Sequence, residues 1–294
     1  MTKLEFGILL PQVGADFAAA ERTARRAEDA GLDSVWVIDH VLGFPPKRGI
    51  LEGWTLATAI AARTERVGVG AQVFCQSFRN PALLAKMATT LDLLSGGRLR
   101  FLLGAGWYED EYRAFGWDFP AAGPRVEQTE DTIRICRGLF DAGDEPFTYE
   151  GAHHRVHEAL NLPAPARRIP IGVGCSGDRM LDLTARLADE WNTPAGVLDR
   201  YDELRAAFDE RVQAHGREIT RSTQIVFTPG DRDPHPAMAM FRPELGIRGS
   251  REQMVQRTGE LVAQGLTGFY GFIAGDQALD ELAQALPDLR AVGG

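Results

Sequence analysis

The stretch RNPALLAKMATTLDLLSGGRLRFLLG, residues 79–104, contains a helix, a turn and a strand in succession. Asn80-Pro81 opens the helix, because asparagine suits the capping position and proline suits the first helical position. The helix is predicted to run to about Leu94, where Ser95-Gly96-Gly97 ends it. The segment 98–104 is then predicted to be a strand. A helix followed at once by a strand is the unit from which the fold is predicted.

The same alternation continues on both sides of this unit. Strands are predicted at 4–10, 34–38, 66–73, 98–104, 169–174, 190–192, 223–228 and 268–273, and helices at 16–30, 55–63, 80–94, 124–140, 178–188, 198–215, 250–264 and 277–286. A small hairpin is predicted at 146–158 as one of the inserted segments. Eight strands alternating with helices predict an α/β fold, a TIM (β/α)8 barrel with insertion segments. A doubly wound open sheet is the alternative, but the turn LLPQVGADF (9–17) after the first strand lacks GxGxxG.

Composition and charge exclude several classes of protein. The 294 residues include 32 Lys and Arg against 41 Asp and Glu, and a net charge of −9 argues against nonspecific nucleic-acid binding. The sequence has no run of about 20 apolar residues, so no membrane span is predicted. Three distant cysteines without a CxxC pair predict neither a disulfide framework nor a cysteine zinc site. The beginning MTKLEFGILLPQ resembles no export signal, so we expect the protein in the cytoplasm. No linker divides the sequence, so we expect one domain, 1–294.

The second predicted strand ends on two proton-handling side chains. The apolar run 35–38 meets Asp39 and His40, at the end of the barrel where active sites are found. Side chains alternate along a strand, so we expect these two to point to opposite sides, each with its own partner. They mark either the start of an ordinary loop or the mouth of an active site, and the pattern alone leaves both open.

Two glycine-rich turns follow later strands. In LLGAGWYEDEY (102–112), Gly104 and Gly106 allow close approach to the backbone, whereas the acids at 109–111 are typical of a helix N-terminus. In GVGCSGDRM (172–180), a glycine turn precedes a helix and is a candidate phosphate site. A histidine cluster at 153–157 falls in the hairpin, away from the strand ends, so no metal site is predicted.

Together these segments resemble a known family. The chain is similar to the luciferase-like monooxygenase superfamily, and specifically to its deazaflavin (coenzyme F420)-dependent oxidoreductases. The resemblance rests on FGILLPQ (6–12), AGLDSVWVIDHV (30–41), the whole of 79–116, RVEQTEDTIRICRGLF (125–140), YEG (149–151) and ARLADEWN (185–192). It implies a luciferase-like TIM barrel with a tricyclic cofactor lying across the carboxyl-terminal mouth.

The resemblance also assigns roles to individual residues. His40 matches a residue beside the reactive carbon of the cofactor, a proton donor or acceptor, and is the expected catalytic residue. Asp39 matches a residue that contacts the ring, and Gln72-Val73 matches a non-prolyl cis peptide behind it. The other implied cofactor contacts are Gly104, Gly106, Asp110, Gly174, Cys175, Ser176 and Gly177.

The resemblance implies an oxidoreductase that transfers a hydride between coenzyme F420 and an unidentified small organic substrate. The Asp39-His40 pair is more typical of the F420 branch than of the flavin mononucleotide (FMN) branch. Phe44 stands near the position where the sugar-phosphate dehydrogenases of this superfamily have an active-site tryptophan. The basic residues with which those enzymes bind the substrate phosphate cannot be placed in this sequence. Both differences argue against a sugar phosphate as the substrate. Loops 41–53, 107–123 and 229–249 are rich in Phe, Trp, Pro and Met, which favours an apolar or mixed substrate.

Three alternatives remain beside this reading. One is an FMN-dependent luciferase-like monooxygenase that works with a flavin reductase. Another is a flavin- or deazaflavin-binding protein that has lost the chemistry, although His40 argues against it. A metal-dependent barrel hydrolase would need an HxH motif on the first strand, which is lacking. Relatives are often dimers, so a homodimer is expected.

Overall fold

The structure is a computed structural model, which describes residues 3–43, 48–234 and 236–293. The strands are β1 (Glu5–Leu9), β2 (Ser34–Val37), β3 (Gly68–Cys75), β4 (Leu99–Gly104), β5 (Phe147–Glu150), β6 (Arg155–Ala159), β7 (Ile171–Gly174), β8 (Glu190–Thr193), β9 (Thr220–Pro229), β10 (Ile247–Gly249) and β11 (Gly268–Ile273). The α-helices are α1 (Phe17–Asp29), α2 (Gly53–Ala61), α3 (Pro81–Leu94), α4 (Glu109–Phe115), α5 (Ala122–Asp141), α6 (Asp178–Leu187), α7 (Tyr201–Ala214), α8 (Arg251–Ala263) and α9 (Asp276–Ala291).

Eight parallel strands close into a barrel. The order around it is β1, β2, β3, β4, β7, β8, β9 and β11, and β11 pairs again with β1. β10 adds to the outer end of β9, and β5 and β6 form an antiparallel hairpin outside the barrel. The predicted TIM barrel is therefore confirmed. Because all eight strands run the same way, their carboxyl ends meet at one mouth.

The opening stretch folds as its residues dictate. The side chain of Asn80 accepts hydrogen bonds from the backbone N–H groups of Ala82 and Leu83, and Pro81 occupies the first helical position. α3 ends at Ser95, and two glycines with positive φ, Gly96 and Gly97, turn the chain into β4. Here the capping pattern predicted both ends of the helix.

The barrel has an apolar outer layer and a partly polar interior. Outward-facing strand residues such as Phe6, Ile171 and Phe269 pack against the helices. Inside, the rings of Trp36 and Tyr270 lie 4.5 Å apart. They fit because glycines face them: a Cβ on Gly7 would lie 2.6 Å from Trp36 Nε1. These two rings therefore occupy the barrel interior below the mouth.

Among the described helices, none is long and apolar enough to cross a bilayer.

Candidate active site at the mouth of the barrel

Asp39 and His40 follow β2 and turn to different partners, as their alternation predicts. The carboxylate of Asp39 is buried and accepts hydrogen bonds from Arg79 at 2.7 and 2.9 Å and from the Cys75 N–H at 2.8 Å. Burial opposes the charge on Arg79, but Asp39 and Glu52 outweigh it and raise the pKa of Arg79 above its ordinary value. Both carboxylate oxygens of Asp39 thus already accept hydrogen bonds within the protein. The predicted contact of Asp39 with a cofactor ring stays a prediction.

His40 is paired with Glu111, a residue of α4. The His40 Nδ1 atom lies 2.9 Å from Glu111 Oε2. The other carboxylate oxygen, Oε1, accepts hydrogen bonds from the backbone N–H groups of Val41 at 2.5 Å and Leu42 at 2.8 Å. Only 1% of the Glu111 side chain is exposed, against 15% for His40. α4 therefore carries a buried carboxylate directly to the histidine predicted to be catalytic.

Sequence reasoning grouped Glu111 with Glu109 and Asp110 as acids typical of a helix N-terminus, and missed its contact with His40. The available signal was that Glu111 precedes Tyr112, the aromatic residue by which α4 packs into the protein. Glu109 and Asp110 are exposed on the other side of the helix, where both pair with Arg113. Asp110 is thus placed at the rim, and its predicted cofactor contact remains untested.

Aromatic side chains surround His40 on the rim. The rings of Trp107 and Tyr108 meet the imidazole edge-on, with centroids 5.7 and 6.4 Å away. Elsewhere on the rim, the ring of Phe241, from the loop after β9, lies 4.1 Å from the ring of Phe272 on β11, tilted by 33°. The described parts of two predicted pocket loops therefore contribute aromatic surface. Phe44 lies outside the described residues.

The peptide bond between Gln72 and Val73 is cis, as the resemblance implies. A Cβ on Gly104 or Gly174 would lie 2.4 or 2.6 Å from a Val73 methyl group. Gly106 has a φ of 77°, and a Cβ there would lie 1.9 Å from the Tyr112 hydroxyl oxygen. The close approach predicted at these glycines is thus made by the protein's own side chains. Val73 is held at the mouth, partly exposed.

Two buried acceptors at this end of the barrel lack a donor. The Gln72 Nε2 donates to Asn192 Oδ1 at 3.2 Å, but Gln72 Oε1 and Thr193 Oγ1 have no partner within the described ranges. A buried polar atom left unpaired costs about 1–3 kcal/mol. A planar heterocycle with N–H groups on its edge would supply the missing donor, so these residues fit a deazaflavin or flavin ring.

The turn after β7 presents free backbone amides. α6 begins after Gly177 without a side-chain cap, and nothing lies within 4 Å of the place where a Gly177 Cβ would stand. Ser176 is partly exposed beside it. Uncapped N–H groups at a helix N-terminus bind phosphate. The turn therefore fits the phosphate of a phosphorylated ring cofactor.

Cys175 lies in the same turn but faces away from it. Its N–H donates to the Asn192 carbonyl oxygen at 3.1 Å, and its Sγ lies 3.3 Å from Thr184 Oγ1 on α6. Burial raises the pKa of the Cys175 thiol to about 12, so the thiol stays protonated. The buried thiol of Cys175 therefore does not face the turn, and any contact with the cofactor would come from the backbone. This contact remains a prediction.

Two further features lie away from the mouth. A cavity of about 540 Å³ opens at the opposite end of the barrel, between the strand starts, and is lined by Lys3, Gly68, Arg100 and Glu190 among others. His153 on the hairpin pairs with Glu127 at 2.8 Å. No three His, Cys, Asp or Glu side chains come together as metal ligands in the part of the chain that the structure describes.

Comparison with known proteins covers nearly the whole barrel. A family model described as luciferase-like monooxygenase matches residues 4–263. F420-dependent glucose-6-phosphate dehydrogenase from Kineococcus radiotolerans is 32% identical over 78% of this chain and 67% of its own. The enzyme of the same name from Amycolatopsis mediterranei is 30% identical over 78% and 70%.

Solved structures share the fold. An F420-dependent secondary alcohol dehydrogenase, solved with an F420-acetone adduct, has a TM-score of 0.84 and 20% identity, and the alignment covers 98% of this chain and 99% of that chain. The coenzyme F420-dependent tetrahydromethanopterin reductase from Methanopyrus kandleri has a TM-score of 0.80 and 18% identity, with the same coverage.

Proposed function

The chain belongs to the luciferase-like monooxygenase family, and on that premise we propose that it is an oxidoreductase that transfers a hydride between coenzyme F420 and a small organic substrate. The curated relatives are named F420-dependent dehydrogenases, in agreement with the cofactor expected from Asp39-His40. The observation that carries the proposal is the meeting, at one mouth, of the His40 imidazole, the partly exposed Val73 and the uncapped start of α6.

Different residues at the mouth would bind the phosphate and the ring of the cofactor. The amides of Gly177 and the first turn of α6, with the Ser176 hydroxyl, would hold the cofactor phosphate. Val73, packed against Gly104 and Gly174, would support the ring, and Gln72 Oε1 would accept a hydrogen bond from a ring N–H group. The bound cofactor supplies the carbon that accepts or donates the hydride.

His40 handles the proton that accompanies the hydride. When a hydride leaves a substrate carbon that bears a hydroxyl group, the hydroxyl proton must leave too, and in the reverse direction a carbonyl oxygen must gain one. An imidazole suits both directions near neutral pH. His40 follows the carboxyl end of β2, which places it at the mouth where the substrate would bind.

The substrate is proposed to be uncharged and largely apolar. Trp107 has 57% of its surface exposed beside His40, and the Phe241–Phe272 pair adds aromatic surface near the ends of β9 and β11. Arg79, a cation near His40, is already held by Asp39 and Glu52. Glucose 6-phosphate, named for the relatives, is therefore not proposed as the substrate here.

We also propose a homodimer in the cytoplasm. On the outside of the barrel, Leu83, Leu160 and Leu162 are each about half exposed, and Lys86 on α3 donates to the Leu162 carbonyl, which brings these side chains to one face. All three cysteines of the chain are free, in keeping with a reducing compartment. Molar mass by light scattering tests the dimer.

Turnover assays separate this function from its rival. Anaerobic mixtures of the protein, F420 and a panel of uncharged alcohols, or reduced F420 and ketones, should change the deazaflavin absorbance. The first set also includes a mixture with F420 and glucose 6-phosphate. Parallel mixtures contain FMN, a flavin reductase and oxygen. Turnover only in the second set, or only with glucose 6-phosphate in the first, would contradict the proposal.

A further inference from the structure

We infer that Glu111 is a positioning residue that holds His40 in one tautomer, with its proton on Nδ1, so that Nε2 is the ring nitrogen that exchanges a proton with the substrate. The part played by Nε2 rests on the proposed function. The choice of tautomer rests only on hydrogen bonds within the protein.

The direction of these hydrogen bonds follows from the two backbone groups. The N–H groups of Val41 and Leu42 can only donate, so Glu111 Oε1 must accept both, at 2.5 and 2.8 Å. This fixes the plane of the carboxylate and turns Oε2 towards His40 Nδ1, 2.9 Å away. An ionised carboxylate only accepts hydrogen bonds, so the proton between the two groups belongs to Nδ1.

Glu111 is surrounded by hydrogen-bond donors. Two backbone N–H groups donate to one of its oxygens, and charge-assisted bonds of this kind are strong. Glu111 also lies in the first turn of α4, where the helix dipole stabilises a negative charge. A buried carboxylate needs such partners, since burial without them is costly.

Glu111 also fixes where the imidazole points. His40, Val41 and Leu42 are consecutive, and all three bind the same carboxylate. The loop after β2 is thereby tied to α4, and the ring cannot rotate about its side chain without breaking the Nδ1 bond. A carboxylate behind an imidazole that fixes its tautomer is a recognised arrangement in hydrolytic triads, where the wrong tautomer costs about 10⁴-fold in kcat.

Glu111→Gln reverses the tautomer and leaves the loop in place. The side-chain oxygen of the introduced glutamine must stay on the Val41 and Leu42 N–H groups, because an NH₂ group there would meet two donors. The NH₂ group then faces His40 Nδ1 and donates to it, which moves the ring proton to Nε2. Glu109→Gln is the matched control: it makes the same change two residues earlier, on an exposed side chain paired with Arg113.

The tautomer is read by two-bond ¹H–¹⁵N spectra of protein labelled in its histidines, at a pH where the ring is neutral, with His40 assigned from a His40→Asn variant. Wild type and Glu109→Gln should carry the proton on Nδ1, and Glu111→Gln should carry it on Nε2. With F420 and substrate, Glu111→Gln should lose about a hundredfold or more in kcat, while the cofactor Kd stays unchanged.

An Nε2–H tautomer in the wild type would overturn the inference, and that spectrum suffices even if the variant fails to fold. A reversed tautomer with undiminished kcat would remove the positioning role. Failure of the protein to bind F420 would instead remove the proposed function and leave the tautomer result standing. The two claims can therefore fail separately.

Discussion

At the scale of single residues, Asp39 and His40 are neighbours in the sequence but bind partners far along the chain. The break from an apolar strand to Asp39-His40 is local and visible in the sequence, and so is the alternation that sends the two side chains apart. Their partners, Arg79 and Glu111, lie 40 and 71 positions further along the chain. Which acid or base completes such a pair depends on how the strands are arranged around the barrel, and no local pattern carries that information.

The role of His40 predicts a split between turnover and binding. His40→Ala should lower kcat by about 10²–10⁴-fold, the usual contribution of a general acid or base. Cofactor Kd should change little, because the phosphate and ring contacts come from β3, β7 and α6. His153→Ala, which alters a histidine of the hairpin, is the control and should leave both quantities unchanged. Equal losses in the two variants would contradict the role.

At the scale of elements, local signals predicted all eight barrel strands and a helix after each of them, but α4 was not among the predicted helices. The pattern missed β10, which is three residues long and exists because it pairs with the end of β9. β3 runs to Cys75, beyond its predicted end at Val73, after a register shift between Ala71 and Phe74. Both differences come from pairing between strands, whereas helix caps and turn glycines act locally and were predicted.

The glycine turn after β7 offers a matched pair of substitutions. A Cβ on Gly174 would clash with Val73, so Gly174→Ala should lower the free energy of unfolding by about 1–3 kcal/mol, as overpacking usually does. It should also weaken cofactor binding, because Val73 must move. Gly177→Ala introduces its methyl group into open space and should leave stability unchanged.

Thermal unfolding and cofactor titration of both variants measure these effects. Similar stability of the two variants would show that Val73 tolerates displacement and would contradict its proposed role as a fixed support for the ring.

At the scale of the whole molecule, a network of polar side chains connects the mouth to the opposite end of the barrel. Gln72, Asn192 and Ser222 are buried, and Glu190 is partly exposed in the cavity at that end. Gln72 donates to Asn192, the Asn192 Nδ2 donates to Ser222 Oγ at 2.8 Å, and the Ser222 hydroxyl donates to Glu190. Nearby, Tyr270 donates to Glu5 at 3.2 Å. This network of hydrogen bonds crosses the barrel between strands that are far apart in the sequence. It could therefore not be predicted before the fold was known.

The pKa of Glu190 makes the stability of the folded protein depend on pH. Burial raises the pKa of Glu190 above the ordinary value of 4.5, and the hydrogen bond from Ser222 only partly offsets this. The folded protein therefore keeps a proton that the unfolded chain releases. Its contribution to stability is complete below the ordinary pKa of 4.5 and is lost as the pH rises through the folded pKa.

Glu190→Gln should remove this loss while keeping an oxygen that accepts the Ser222 bond. The variant should gain in Tm relative to wild type, and the gain should grow from acid to neutral and alkaline pH. Melting curves across that range measure it, with Glu109→Gln as a surface control. A constant or shrinking difference would contradict a raised pKa of Glu190 in the folded protein.

The mouth of the barrel should bind coenzyme F420 in preference to FMN. The test is an anaerobic binding titration of the purified protein with oxidised F420 and, separately, with FMN. F420 should bind at least about tenfold more tightly than FMN, a difference of about 1.4 kcal/mol, and Gly174→Ala should weaken this binding. Tighter binding of FMN, or no binding of F420, would overturn the proposed function and favour an oxygen-dependent flavin enzyme.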